Sequence, residues 1–176
     1  MCGQEMITRP SLAPHSDAVV QFRHPTVEDA GELWRIARDS EVLDLNSSYS
    51  YLLWCKDFAD TSLLATVDGE SSGFVTGYHP PDRPDTLMVW QVAVDQERRG
   101  HRLATHMLHS LVDRLDERPL TRMETTITPD NKASARLFSS FAADRGATVE
   151  REPVFPAPLF PDDHETEVLF RISPLS

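Results

Sequence analysis

Three arginines and one glycine fall within five consecutive positions, Arg98-Arg99-Gly100-His101-Arg102. They follow the apolar run Trp90-Gln91-Val92-Ala93-Val94 and precede a helical stripe that begins at Leu103 and Ala104. A strand that ends in a basic, glycine-containing turn and opens straight into a helix leaves several backbone N–H groups without partners. Those donors and the positive helix end make an anion site suited to a pyrophosphate. A basic strand-to-helix turn on an ordinary surface would read the same way, because a single glycine is a weak signal. A second constellation, Thr125-Thr126-Ile127-Thr128-Pro129-Asp130-Asn131-Lys132-Ala133-Ser134, ends a strand at a proline and opens a helix. Asn131 or Asp130 there is either a helix cap or a group that hydrogen-bonds a ligand lying across the strand ends.

The elements that must position these residues can be read from periodicity. Val19–Arg23 reads as a short strand. Thr26 with Asp29 resembles a capping box that opens a helix through about Arg38. The polar stretch Asp44 to Ser48 leads into a second helix carrying Tyr49, Tyr51, Leu52, Leu53 and Trp54. Strands are expected at Ser62–Val67 and Gly73–Tyr78, with a turn at Asp68-Gly69. After the loop containing Pro80, Pro81 and Pro84 a strand resumes at Thr86–Val94. Leu103, Ala104, Met107, Leu108, Leu111, Val112 and Leu115 form the apolar stripe of a helix from Arg102 to Leu115. Arg122–Ile127 reads as a strand, Asn131 to about Asp144 as a helix. A short strand, a loop holding Pro153, Pro156, Pro158 and Pro161, and a last strand at about Glu165–Ile172 complete the chain. Strands interspersed with helices indicate one α+β domain with a mixed sheet.

Composition narrows the function classes. The 176 residues suffice for one domain with a real core, and 40% of them are hydrophobic. Residues 1–17 read as a disordered N-terminal tail and 18–176 as the domain. No apolar run approaches the roughly 18 residues of a membrane span, and no signal-peptide core is visible, so a cytoplasmic protein with no membrane partner is expected. The formal charge of −11 argues against nucleic acid and is compatible with a cationic substrate, or simply with a solvated surface. Cys2 and Cys55 form no metal-ligand spacing, so no metal is expected.

With those residues in place, the chain resembles the GNAT acetyltransferases. Their acetyl-CoA signature is (Gln/Arg)-x-x-Gly-x-(Gly/Ala). Arg99 and Ala104 match its ends, while Arg102 stands where the central glycine is usual. The resemblance implies a GNAT fold: a central mixed, mostly antiparallel sheet, splayed at a β-bulge and flanked by helices on both faces. It implies acetyl-CoA as co-substrate, held by Val92, Ala93, Val94, Arg99, Gly100, His101, Arg102, Leu103, Ala104, Asn131 and Ser134. In the family the pantetheine arm fills the splayed gap by strand-like hydrogen bonds, which would fall to the main chain of Val92 and Val94. Arg102 would supply a phosphate contact in place of glycine.

Narrower blocks, Leu43–Leu53, Gly73–Tyr78, Leu87–Val94, Glu124–Asn131 and His164-Glu165-Thr166-Glu167, are similar to the diaminobutyrate acetyltransferases of ectoine biosynthesis, a route to an osmoadaptive solute. This resemblance covers about Phe22 to Ile172. It implies acetyl transfer to the γ-amine of L-2,4-diaminobutyrate by direct attack in a ternary complex. An ammonium has no lone pair, so the site needs a proton acceptor as well as groups for the amines. The matched blocks offer Tyr49, Glu167 and Asp44 for catalysis, and Asp44, Asn46, Tyr49, Trp90, His164 and Glu167 for substrate binding. Each has a plainer reading: Asp44 as a helix cap, Trp90 as core, Glu167 as a solvated strand residue, His164 as a loop residue. The helix after Asn131 carries Phe138 where many relatives place a tyrosine acid, leaving Tyr49 or a water chain for that part. The alternatives are an acetyltransferase for another small amine and a non-catalytic acyl-CoA sensor. By the same analogy a homodimer is expected.

Overall fold

The computed structural model describes residues 18–41, 43–115 and 120–175; the expected tail, residues 1–17, lies outside them. Among the described residues, seven strands and four α-helices follow in chain order: β1 (Val20–Arg23), α1 (Ala30–Ser40), α2 (Ser48–Asp57), β2 (Leu63–Val67), β3 (Glu70–Tyr78), β4 (Thr86–Val94), α3 (Leu103–Arg114), β5 (Arg122–Ile127), α4 (Lys132–Asp144), β6 (Thr148–Phe155) and β7 (Glu167–Ser173). The strands form one sheet in the order β1-β2-β3-β4-β5-β7-β6. Every neighbouring pair is antiparallel except β4 with β5.

Local chemistry accounts for the boundaries. The Asp29 carboxylate accepts from the Thr26 amide at 2.7 Å, so the capping box forms, and a single 3₁₀ turn over Val27–Asp29 leads into α1. Asp68 and Gly69, at φ 53° and 85°, make the tight β2–β3 turn. Asn131 caps α4: its side chain accepts from the Ser134 amide at 3.0 Å. One expectation needs correcting. The strand after Gly146 is not short and the proline loop does not begin at Pro153; β6 runs eight residues and includes Pro153. It lies at the edge of the sheet, where a missing N–H costs no ladder bond.

The two faces of the sheet bury separate cores. Leu33, Ile36, Tyr51, Cys55, Leu64, Phe74 and Ala93 pack under α1 and α2. Leu63, Val75, Leu87, Val89, Met107, Leu108, Met123, Phe138 and Phe141 pack under α3 and α4. Strand β4 changes face part-way. Thr76 pairs with Gln91 but Gly77 with Val89, so Trp90 is an extra residue, a β-bulge. Because side chains alternate, one inserted residue swaps the faces of all that follow. Val89 accordingly lies in one core and Ala93 in the other. Gly77 opposite the bulge leaves room for the kink; a Cβ there would stand 2.9 Å from the Met88 carbonyl oxygen.

Candidate functional site

The parallel β4–β5 ladder stops at Met88 opposite Glu124, although β4 continues to Val94 and β5 to Ile127. From Val89 onward the backbone groups on that edge of β4 have no strand partner among the described residues, and an open V results. At its far end the strand feeds the turn Asp95–Arg102 and then α3. Gly100 takes φ +85° and Arg102 φ 57°, two left-handed residues that wind the loop onto the helix start. For arginine that conformation costs about 1–2 kcal/mol that glycine avoids.

A cleft of about 480 Å³ lies against this turn, lined by Val94, Arg98, Arg99, Gly100, Arg102, Leu103, Ala104 and Thr105 and by Ala133, Arg136, Leu137 and Ser140 of α4. Four arginines on its wall and a helix N-terminus at its end suit a pyrophosphate, and the open β4 edge suits a polar arm beside it. The chain also has a larger hollow, about 850 Å³, but six carboxylates line it against two arginines. An anion belongs in the smaller cleft.

Six of the residues expected to hold acetyl-CoA line that cleft: Val94, Arg99, Gly100, Arg102, Leu103 and Ala104. The others stand differently. The Ala93 side chain is buried in the α1/α2 core, so only its main chain can meet a ligand. His101 is exposed and its Nδ1 lies 3.1 Å from the Arg99 carbonyl oxygen. The Asn131 oxygen is taken up in capping, so any further contact falls to its Nδ2. The Arg102 guanidinium does not stand free for a phosphate: it is paired with Asp144 at 2.9 Å. Arg136 is the cation that motif reading missed, because α4 brings it to the cleft from outside the motif.

On the other side of the sheet the substrate-side candidates come from three distant segments. The His164 Nε2 stands 3.4 Å from an Asp44 oxygen and 3.5 Å from a Glu167 oxygen. Its ring stacks on Phe160 at 4.2 Å, and its Nδ1 lies 2.7 Å from the Glu165 carbonyl oxygen. That contact, helped by the two carboxylates, raises the imidazole pKa. Glu167 is only 18% exposed, and its second carboxylate oxygen is buried with no partner among the described residues. Burial pushes its carboxyl above the ordinary glutamate range, partly opposed by the Thr126 hydroxyl. Asp44, 87% exposed, sits at the mouth.

Trp90, thrown outward by the bulge, stacks on Trp54 at 4.9 Å and 17°. Trp54 in turn meets Phe58 and Tyr78. Trp90 is thus the outer ring of an aromatic bank, 36% exposed, not a core residue. Tyr49 lies on the first turn of α2, 65% exposed, and among the described residues it shares no hydrogen bond with Asp44, His164 or Glu167. Asn46 turns inward, donating to the Asp44 carbonyl oxygen at 3.2 Å. Cys55 is buried and its thiol is pushed up to about 11, so it is no nucleophile at neutral pH. Phe138 is buried in the core. The described residues hold no cluster of potential metal ligands, and no helix among them is long and apolar enough to cross a membrane.

Comparison with known proteins agrees with this geometry. Residues 27–142 match the model of the acetyltransferase (GNAT) family. An L-2,4-diaminobutyric acid acetyltransferase of Streptomyces coelicolor is 59% identical over 92% of this chain and 96% of its own. That of Marinococcus halophilus is 44% identical over 91% of this chain and 92% of its own. Among solved structures, the diaminobutyrate acetyltransferase EctA from Paenibacillus lautus, in complex with L-2,4-diaminobutyric acid and coenzyme A, superposes with a TM-score of 0.85. It shares 37% identity and covers 89% of this chain and 96% of its own.

Proposed function

The chain belongs to the GNAT acetyltransferases and, within them, to the diaminobutyric acid acetyltransferases, and from that premise we infer that it moves acetyl from acetyl-CoA to the γ-amine of L-2,4-diaminobutyrate. The observation that carries the substrate reading is the buried Glu167 oxygen, without a partner among the described residues, held in a carboxylate–imidazole–carboxylate group. A site of this kind fits the two ammonium groups of a small diamino acid.

Asp44 at the mouth and Glu167 within draw the two ammonium groups in. Trp90 offers its face to an ammonium. The γ-ammonium gives one proton to Glu167, whose raised pKa brings it nearer the working pH of a base. His164 links Glu167 to the exposed Asp44, a path by which that proton reaches solvent. The freed nitrogen lone pair attacks the thioester carbonyl, and the oxyanion takes a hydrogen bond from an unpaired amide of β4. As the carbon–sulfur bond breaks, the nitrogen's second proton neutralises the departing thiolate, giving the amide and free CoA. The cleft between α3 and α4 holds the pyrophosphate, with Arg99 and Arg136 at hand, and β4 aligns the arm. Attack is direct, since Cys55 is buried as a thiol.

The product, N-γ-acetyl-2,4-diaminobutyrate, would enter ectoine biosynthesis in the cytoplasm. A homodimer is supported by exposed apolar side chains on Leu45, Tyr49, Leu52 and Leu53 and, at and beyond the end of β6, on Phe155 and Leu159. Sedimentation at micromolar concentration is expected to give twice the 19.9 kDa chain mass. For the activity itself, equal concentrations of diaminobutyrate, ornithine, lysine and spermidine are offered with acetyl-CoA. Diaminobutyrate is expected to be acetylated at Nγ with the highest kcat/KM; preference for ornithine or spermidine would overturn the substrate assignment, and CoA binding without turnover of any amine would point to a sensor.

A further inference from the structure

Asp44 is the most exposed member of the substrate group, and it lies on a segment with no regular structure between α1 and α2. A carboxylate on such a loop needs something beneath it to hold its place. Its own carbonyl is gripped twice, by Asn46 Nδ2 and by Gln91 Nε2, each at 3.2 Å. Gln91 is 5% exposed and stands in β4 next to the bulged Trp90. Its Oε1 accepts from the hydroxyl of Tyr51, which is fully buried, at 3.1 Å. The orientation of this amide is fixed by chemistry: a main-chain carbonyl only accepts, so the NH₂ must face Asp44. The Gln91 backbone amide, freed where the ladder shifts register at the bulge, donates to the Thr76 hydroxyl at 3.3 Å.

We propose that Gln91 is a positioning residue for substrate recognition: through its side-chain amide it fastens the Asp44–Asn46 loop to the strand whose bulge presents Trp90. Asp44 and Trp90 come from segments more than forty residues apart, and this amide joins them through one buried link. A buried polar link of this kind, with every member satisfied, selects a single arrangement where an apolar contact would permit several. The Asn46 and Tyr51 side chains, which also approach one another, brace the link from the loop side. The inference rests on the reading of Asp44 and Trp90 as substrate contacts and adds the residue that sets their spacing.

The test is steady-state kinetics on wild type, Gln91→Glu, Gln91→Leu and Tyr51→Phe, with both substrates varied and melting temperatures recorded. Gln91→Glu keeps the size of the side chain and still accepts from Tyr51, but it can no longer donate to the Asp44 carbonyl. It is expected to raise KM for diaminobutyrate about tenfold or more and to leave KM for acetyl-CoA within twofold. Tyr51→Phe keeps the donation and loses only the partner that orients it, so a smaller rise, roughly threefold, is expected. Gln91→Leu should match Gln91→Glu. If Leu at 91 fails to fold, the Glu and Phe variants still decide. An unchanged diaminobutyrate KM in Gln91→Glu, or equal rises in both KM values, overturns the proposal. Absence of diaminobutyrate turnover by the wild type overturns it together with the reading it rests on.

Discussion

The two ends of the open V between β4 and β5 are built from different materials for the two proposed ligands. The cofactor end is made of backbone and cations: a strand edge without a partner among the described residues, a turn with two left-handed residues, a helix start and arginines around a cleft. The substrate end is made of fixed side chains: Asp44, His164 and Glu167 within 3.5 Å contacts and Trp90 on its aromatic bank. Backbone recognition tolerates changes of side chain, which is why Arg102 can occupy a glycine position there. Side-chain recognition does not, because each group sits where a particular charge or hydrogen bond must form.

The largest effect is expected at Glu167. Gln at this position removes the proton acceptor and keeps the shape, so kcat for diaminobutyrate should fall at least 100-fold, within the range for loss of a general base. The wild-type rate should rise with pH through an apparent pKa above that of ordinary glutamate, and this limb should vanish in Glu167→Gln. The sign for stability is opposite. A carboxyl whose folded pKa is raised binds its proton more tightly in the native state, so stability falls as pH rises from the ordinary glutamate range through the raised value. Glu167→Gln should therefore melt higher than wild type at pH 7.

Trp90→Ala comes next: removing one face of a cation–π contact worth about 1–2 kcal/mol should raise KM for diaminobutyrate roughly five- to thirtyfold, with the acetyl-CoA KM little changed. Arg136→Ala should act on the opposite ligand, raising KM for acetyl-CoA a few-fold, and added salt should shrink the difference from wild type. The smallest effect is expected from Arg102→Gly. It relieves a left-handed arginine and breaks only an exposed pair with Asp144, so acetyl-CoA affinity should hold within twofold or improve. A large loss there would mean that the guanidinium leaves Asp144 to hold phosphate.

The same contrast explains what could be read before the structure. The strand, turn and helix of the cofactor end are contiguous, so periodicity and a few residue types from Thr86 to Leu115 were enough to place them. The bulge was visible only through the family resemblance, since an extra residue in a strand leaves the apolar pattern of Thr86–Val94 almost unchanged. The substrate group joins positions 44, 90, 164 and 167, and no spacing rule links them. Gln91 and Tyr51 escaped notice because a buried polar pair has no sequence period of its own. Pro153 misled for a physical reason: proline marks a loop in most contexts, yet the edge strand β6 accommodates it.

If the two ends are separate in function, calorimetric titration of Glu167→Gln alongside wild type will separate their ligands. Acetyl-CoA is expected to bind both proteins with dissociation constants within twofold, while diaminobutyrate binding to the CoA-loaded variant weakens at least fivefold. Parallel loss of both ligands, or diaminobutyrate binding unchanged from wild type, would contradict it.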